Sequence, residues 1–193
     1  MPLTRFEYYP ANLVEKIFWG RVEIMAATAF MYFTTGSAVQ HSLHLLKYKG
    51  KKEIGIYFGR KMGEHLKQSQ RFQNCEIIIP LPLFADREKK RGYNQSAMIA
   101  AGIALQLDIP VIPDAIIRTK KTATQTHKSR IERWENMRST FKIRDHRKIQ
   151  GKHILLVDDV VTTGASLEAC ALTLLSLPGT TISIACLAHT VSA

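Results

Sequence analysis

The sequence predicts an α/β fold in which helices flank a mostly parallel β-sheet. Apolar runs of strand length alternate with stretches of helical periodicity through most of the chain. One of these runs ends in two adjacent carboxylates, and a loop rich in hydroxyls then leads into a helical pattern. Alternation of this kind is typical of parallel strands joined by helical crossovers. The 193 residues suffice for one such domain with an appendage.

Residues 1–70 precede this alternation, and we expect them to form a hood and flank of the same domain. In chain order the pattern predicts a short helix over 12–19, a strand over 24–33, a helix that starts at 38 and ends within 47–50, and a helix over 51–70. In the last of these helices Gly55, Gly59 and Gly63 recur on one face. Three glycines on one face predict close packing against another element, although each of them lowers helix propensity.

Residues 71–193 are expected to form the α/β core. The predicted strands cover 75–80, one or two segments within 111–118, and 141–143, 154–157 and 182–187. The predicted helices cover 93–107, 130–138 and 167–177, with loops over 81–92 and 119–128. The loop at 119–128 has no apolar periodicity, and long loops in compact domains are usually functional. We therefore expect it to be a mobile lid.

The segment from 154 to 166 carries the clearest chemistry. Its apolar run reads as a strand buried on both faces, and Asp158 and Asp159 follow at the carboxyl end, where open α/β sheets bind ligands. The next residues precede a predicted helix N-terminus, whose N–H groups and dipole suit a phosphate. They are Thr162, Thr163, Gly164, Ala165 and Ser166. The alternative is an ordinary strand–loop–helix unit without a ligand. Adjacent carboxylates repel each other, so a buried strand rarely ends in two of them unless they have a use.

A second charged segment follows the first core strand. The loop begins at Leu81 and carries four cations, which are Arg87, Lys89, Lys90 and Arg91. Arginine forks match paired phosphate oxygens, and lysine acts as a point charge, so the loop suits a diphosphate. The alternative is a solvated charged loop.

Composition and charge indicate which classes of partner and which cellular environment to expect. The net charge is +11, and the stretch 118–152 holds twelve cations against three acids, which favours a polyphosphate substrate or nucleic acid. Cys75, Cys170 and Cys186 are far apart and form no Cys-x-x-Cys pair, so we expect small buried side chains in a reducing cytoplasm. No apolar run is long enough to span a bilayer, so we expect no membrane insertion.

The order of strand, acid pair, Thr-Thr-Gly-x-Ser and helix resembles the signature of type I phosphoribosyltransferases, which bind phosphoribosyl pyrophosphate (PRPP). Three further stretches resemble the ComF/GntX-like members of that family. They are Pro-x-Pro-Leu with Arg-x-x-x-Arg-Gly-Tyr-Asn-Gln at 80–95, the Leu-Lys-Tyr-Lys-Gly segment ending at Gly50, and the Arg118 to Arg138 stretch. The family usually has an N-terminal zinc ribbon, which this chain lacks. We therefore expect a truncated form, with a shorter natural variant as the alternative.

The resemblance implies a role for each site residue. Asp158 and Asp159 would bind the ribose hydroxyls, directly or through Mg²⁺, and 162–166 would bind the 5′-phosphate. The pyrophosphate would be bound by Leu81, Arg87, Lys89, Lys90 and Arg91. The lid would contribute Thr122, Thr124, Gln125 and Lys128.

The implied reaction transfers the phosphoribosyl group of PRPP to a nitrogen nucleophile, with a link to competence or DNA uptake. The alternative function belongs to another class. It is a non-catalytic protein that binds PRPP or a nucleotide and associates with single-stranded DNA or the competence machinery. The net charge of +11 is compatible with both.

Overall fold

The computed structural model describes residues 2–119 and 140–190. Two 3-10 turns cover Phe6–Tyr8 and His146–Lys148. The strands are β1 (Ala26–Phe33), β2 (Ile77–Pro80), β3 (Ile116–Arg118), β4 (Phe141–Ile143), β5 (His153–Val161) and β6 (Thr181–Thr190). The helices are α1 (Leu13–Phe18), α2 (Ala38–Tyr48), α3 (Lys52–Gln68), α4 (Ala85–Arg91), α5 (Gln95–Leu107) and α6 (Ala165–Leu175).

Four strands form one sheet in the order β1-β6-β5-β2, and all of their pairings are parallel. The strands β3 and β4 pair antiparallel in a separate ribbon. The prediction of a mostly parallel sheet is therefore confirmed. Within the segment 1–70, β1 is an edge strand of the main sheet, and the role of that segment as a hood stays a prediction.

The central strand β5 is buried on both faces. Ile154 and Leu156 belong to a core cluster that includes Leu174 of α6. Leu155 and Val157 belong to a second cluster, which includes side chains of α2, α3 and α5. The helices therefore cover both faces of the sheet, as the continuous apolar run predicted.

The strand β5 continues past the point where the sequence pattern placed its end. We expected Asp158 and Asp159 to emerge after a strand over 154–157, and both acids instead lie within β5. Val160 and Val161 extend the pairing with β6, because β-branched side chains favour extended backbone. The carboxylates are thus fixed by a β-ladder rather than by a loop.

The expected loop over 81–92 contains a helix, α4, and this part of the prediction was wrong. The helix has no buried residue, and its sequence therefore shows no apolar periodicity. Its acids Asp86 and Glu88 lie in the first turn and three of its four cations in the last, which complements the helix dipole. Gly92, with φ of +77°, ends the helix in the left-handed region.

The three cysteines are buried and none of them forms a disulfide, as the sequence predicted. Burial raises the pKa of the Cys75 thiol to about 12. These side chains therefore act as small core residues. In the described ranges, none of the helices combines the length and hydropathy needed to cross a membrane.

The helices α3 and α5 approach closely through glycines, which confirms the expected packing role. A Cβ at Gly59 would overlap the carbonyl oxygen of Ile99 and lie 3.0 Å from Cα of Gly102. A Cβ at Gly102 would lie 2.7 Å from the backbone nitrogen of Arg60. Backbone atoms cannot move aside as a flexible side chain can, so only glycine fits at either position.

We predict that Gly59→Ala lowers the free energy of unfolding by about 1–3 kcal/mol, because overpacking outweighs the ~1 kcal/mol gained in helix propensity. Urea unfolding measures the change. Gly63→Ala is the matched control, since its Cβ would first meet the Cβ and Cγ atoms of Gln106. Its loss should be smaller, and equal losses in the two variants would contradict the backbone-contact explanation.

Candidate active site

Two adjacent carboxylates, Asp158 and Asp159, lie near the carboxyl end of β5. Ser96 of α5 donates its hydroxyl to Oδ1 of Asp158 at 2.9 Å, and the N–H of Asp159 donates to the same oxygen at 2.8 Å. Asp159 is only 5% exposed, and Nζ of Lys47 in α2 lies 2.7 Å from its Oδ2. Contacts from two helices therefore hold the acid pair.

The acid pair is electrostatically strained. Burial, and then the neighbouring Asp159 charge, raise the pKa of Asp158 to about 7. Ser96 and Lys47 act in the opposite direction without cancelling this effect. The carboxyl of Asp158 therefore gives up its proton less readily than an ordinary aspartate, and a cation bound beside the pair would favour the ionised form.

The loop after β5 is built around Gly164, whose φ is +72°. A Cβ there would meet Cγ2 of Ile17 at 2.7 Å and Cε1 of Phe18 at 2.9 Å. The carbonyl of Gly164 accepts the N–H of Glu168 at 2.8 Å, which begins the hydrogen bonding of α6. Glycine is therefore required both by the backbone conformation and by the close approach of α1.

The predicted phosphate-loop residues share one depression of about 110 Å³ with the first acid. Its lining comprises Asp158, Val160, Val161, Thr162, Thr163, Gly164, Ala165, Ser166 and Leu167. Thr162 and Thr163 are exposed. The first N–H groups of α6 have no partner within the helix, and the positive end of its dipole lies there. The depression therefore suits a phosphate.

Arg21, which sequence reasoning missed, ties this loop to the N-terminal segment. Its Nη1 donates to the carbonyl of Thr163 at 2.8 Å and to that of Ile17 at 2.9 Å. Its Nη2 forms an ion pair with Glu168 of α6. No local pattern indicates this role, because Arg21 is 142 positions away from Thr163.

A cavity of about 440 Å³ lies beside α4 and is lined mainly by cations. Its lining residues are Lys47, Tyr48, Gly50, Arg87, Lys90 and Arg91, and none of these described side chains is acidic. Three of the four predicted pyrophosphate cations therefore meet at one cavity. Lys89 is exposed on α4 and is not part of the lining.

Neighbouring contacts orient this part of the site. Nη1 of Arg91 donates to Oε1 of Gln95 at 2.7 Å, and its guanidinium lies 5.3 Å from the centre of the Tyr48 ring. Leu81 is buried, and its N–H donates to the carbonyl of Val157 at 2.8 Å. Leu81 thus anchors the start of the segment to the central strand.

Two further residues belong to this neighbourhood, and sequence reasoning assigned neither of them a role. Lys47 contacts the acid pair and also lines the cationic cavity. Burial and then Arg87 lower the pKa of Arg118, whereas Asp158 raises it, so Arg118 lies within electrostatic reach of both. Their only sequence signal was their presence in the family-like stretches. The expected lid residues Thr122, Thr124, Gln125 and Lys128 lie outside the described residues.

The fold and site together define an α/β protein in which two carboxylates, a hydroxyl-rich loop at a helix N-terminus and a cationic cavity lie at one edge of a parallel sheet. Residues 94–192 match the family model of the phosphoribosyl transferase domain. The chain therefore belongs to the phosphoribosyltransferase family, and its relatives place it in the ComF-like group. It has the type I phosphoribosyltransferase fold, with a parallel sheet flanked by helices.

Three curated relatives illustrate the similarity. The DNA utilization protein YhgH of Escherichia coli O157:H7 is 32% identical over 77% of this chain and 66% of its own length. Competence protein F of Haemophilus influenzae is 34% identical over 53% of this chain and 45% of its own length. Competence protein ComFC of Bacillus subtilis is 27% identical over 74% and 56%. This chain thus spans at most about two thirds of these relatives.

Solved structures with a similar chain course include an adenine phosphoribosyltransferase, with a TM-score of 0.46 and 17% identity over 76% of this chain and 74% of that one. The glutamine PRPP amidotransferase of B. subtilis has a TM-score of 0.49 and 16% identity. That alignment covers 74% of this chain and 30% of the amidotransferase.

We predict that Asp158→Asn stabilises the free protein more at alkaline than at acidic pH. The pKa of Asp158 is raised in the folded protein, so its carboxyl favours folding while protonated, and this contribution is lost as the pH rises from about 4 towards about 7. The asparagine retains an acceptor for Ser96 and does not titrate. Urea unfolding of both proteins at several pH values measures the difference, and a difference that does not grow between pH ~5 and ~8 would contradict the raised pKa.

Proposed function

We propose that this protein binds PRPP with Mg²⁺ and transfers the phosphoribosyl group to a nitrogen nucleophile. One observation carries the proposal: the three subsites are contiguous. Asp158 lines the phosphate depression, and Lys47, the partner of Asp159, lines the cationic cavity. A ribose that carries a phosphate at one end and a diphosphate at the other matches this order of groups.

The donor set fits Mg²⁺. Magnesium in proteins commonly takes one or two carboxylates together with substrate phosphate oxygens and water. Asp158 and Asp159 supply two carboxylates, and Oδ2 of Asp159 is paired with the flexible side chain of Lys47, which a bound ion could replace. Within those residues no three His, Cys, Asp or Glu side chains converge. The acid pair would hold the ion, which when bound neutralises charge developing on the leaving diphosphate.

Each part of the chain would contribute to a transition state with oxocarbenium character. The acid pair would bind and orient the ribose hydroxyls, and the N–H groups at the start of α6 would hold the 5′-phosphate. Arg87, Lys90 and Arg91 would stabilise the negative charge of the departing diphosphate. The bond from C1 to the diphosphate oxygen breaks, a bond from C1 to nitrogen forms, and the nucleophile loses its proton.

We predict that PRPP with MgCl₂ stabilises the protein, because a ligand at 100 times its Kd adds about 2.7 kcal/mol by mass action. Calorimetry and thermal melting measure binding and stabilisation. The variant Asp158→Asn/Asp159→Asn should fold and lose most of this affinity. Glu64→Gln/Asp108→Asn, which removes the same charge from α3 and from the end of α5, is the matched control and should bind normally. Undetectable heat and an unchanged melting temperature at millimolar PRPP would reject the proposed function.

A second candidate function is non-catalytic association with single-stranded DNA in competence. The relatives named DNA utilization protein and competence protein support it, as do the exposed cations Arg144, Arg147 and Lys148. The other cations expected on this face, which are Arg130, Arg133 and Arg138, lie outside the described residues. Arg147 donates to Asp145 at 3.2 Å, so this surface is not wholly positive.

We predict weak DNA binding that falls steeply with salt, because counterion release drives it. Replacing Arg144, Arg147 and Lys148 by glutamine should flatten the salt dependence by about one unit of slope for each lost phosphate contact. Fluorescence anisotropy with an oligonucleotide at several salt concentrations measures it. Binding that PRPP abolishes and that the triple variant leaves unchanged would mean that DNA phosphates occupy the active site instead.

A further inference from the structure

The side chain of Lys47 contacts the acid pair and also lines the cationic cavity. Its Nζ lies 2.7 Å from Oδ2 of Asp159, and its side chain is 23% exposed. It also lines the cationic cavity together with Arg87, Lys90 and Arg91. One ammonium group therefore lies between a buried carboxylate and a cavity that suits an anion.

The contact between Lys47 and Asp159 compensates a buried negative charge in the free protein. A buried carboxylate beside a second one needs a counter-ion, and breaking a buried pair by removing one partner is strongly destabilising. A divalent cation at the acid pair would supply the same compensation. The ammonium of Lys47 and a bound metal ion are thus alternative counter-ions for one carboxylate.

The cavity offers Lys47 a second partner. The side chain belongs to the last turn of α2, so its backbone is held while its flexible four-carbon stem can reorient. Of the four cations in the cavity lining, Lys47 forms the ion pair to the acid pair. A diphosphate in the cavity would attract it without any backbone movement.

We propose that Lys47 is a transferable counter-ion: it neutralises Asp159 in the free protein and moves to the diphosphate when a divalent metal takes its place. This inference rests on the proposed function, because it assumes that the acid pair and the cavity receive the two parts of one ligand. A metal ion that binds alone must displace the ammonium of Lys47 from Asp159, and the ammonium then has no new partner. A diphosphate that binds alone must compete with Asp159 for the same ammonium. The affinity for either ligand is therefore lower in the absence of the other, so the two ligands bind cooperatively.

The first arm of the test uses MnCl₂ alone. Isothermal titration calorimetry should show that Lys47→Gln binds Mn²⁺ more tightly than the parent, by at least about fivefold, the lower end of usual coupling between sites. Lys49→Gln removes an equal charge two residues away, at an exposed position outside the cavity lining, and should change the affinity much less. Equal effects of the two variants would overturn the proposal.

The second arm uses inorganic pyrophosphate in the presence of a metal chelator. Asp159→Asn releases Lys47, so it should bind pyrophosphate at least about fivefold more tightly than the parent. Asp158→Asn removes a neighbouring charge without freeing Lys47 and should tighten binding less. Adding Lys47→Gln to Asp159→Asn should abolish the gain. A purely structural ion pair predicts no gain specific to Asp159→Asn, and that result would overturn the proposal.

The two hypotheses fail in different ways. If the parent binds PRPP with Mg²⁺ and the variants behave like their controls, the counter-ion role of Lys47 is wrong while the proposed function stands. If the parent binds neither PRPP nor pyrophosphate, both are wrong. Should Lys47→Gln fail to fold, the Asp159→Asn arm still decides, because that variant leaves no unpaired carboxylate at this position.

Discussion

The repulsion between Asp158 and Asp159 at the buried end of β5 is the constraint on which the rest of the site depends. The two acids are neighbours on one strand, and the charge of Asp159 is close enough to raise the pKa of Asp158. The hydroxyl of Ser96, the N–H of Asp159 and the ammonium of Lys47 offset part of the cost. Together they leave one carboxyl with a pKa raised to about 7. A bound cation or additional hydroxyl donors beside the two carboxylates would therefore lower the electrostatic cost of ionising both.

The packing of α5 and α1 on the sheet positions the groups that surround the acid pair and the loop after β5. The glycine contact lets α3 and α5 pack closely together, and the first turn of α5 carries Ser96, which donates to Asp158. On the other face, α1 is capped by Asn12, whose amide also donates to the carbonyl of Ala27 in β1 at 2.8 Å. Because α1 packs directly on Gly164, the N-terminal segment supports the phosphate loop.

The acid pair lies between two different surroundings. Asp158 lines the depression at the start of α6, and Asp159 is paired with Lys47, which lines the cationic cavity. In the proposed function, a ligand with a phosphate at one end and a diphosphate at the other would occupy both. The chain belongs to the phosphoribosyltransferase family, and these are the side chains that would carry the family's chemistry in the proposed function.

The residue pattern alone was enough to predict the parallel α/β class, the strand buried on both faces, and the acid pair with the hydroxyl-rich loop that follows it. These features depend on local periodicity and on neighbours along the chain, which a sequence displays directly. It misjudged the end of β5 and missed α4, because pairing with β6 extends the strand and because a helix without a buried residue has no apolar stripe. Tertiary structure alone decided that Lys90 rather than Lys89 lines the cavity, and that Lys47 and Arg21 reach the site. The physical reason is that these contacts join elements far apart in sequence, and only the packing of helices on the sheet brings their charges within range.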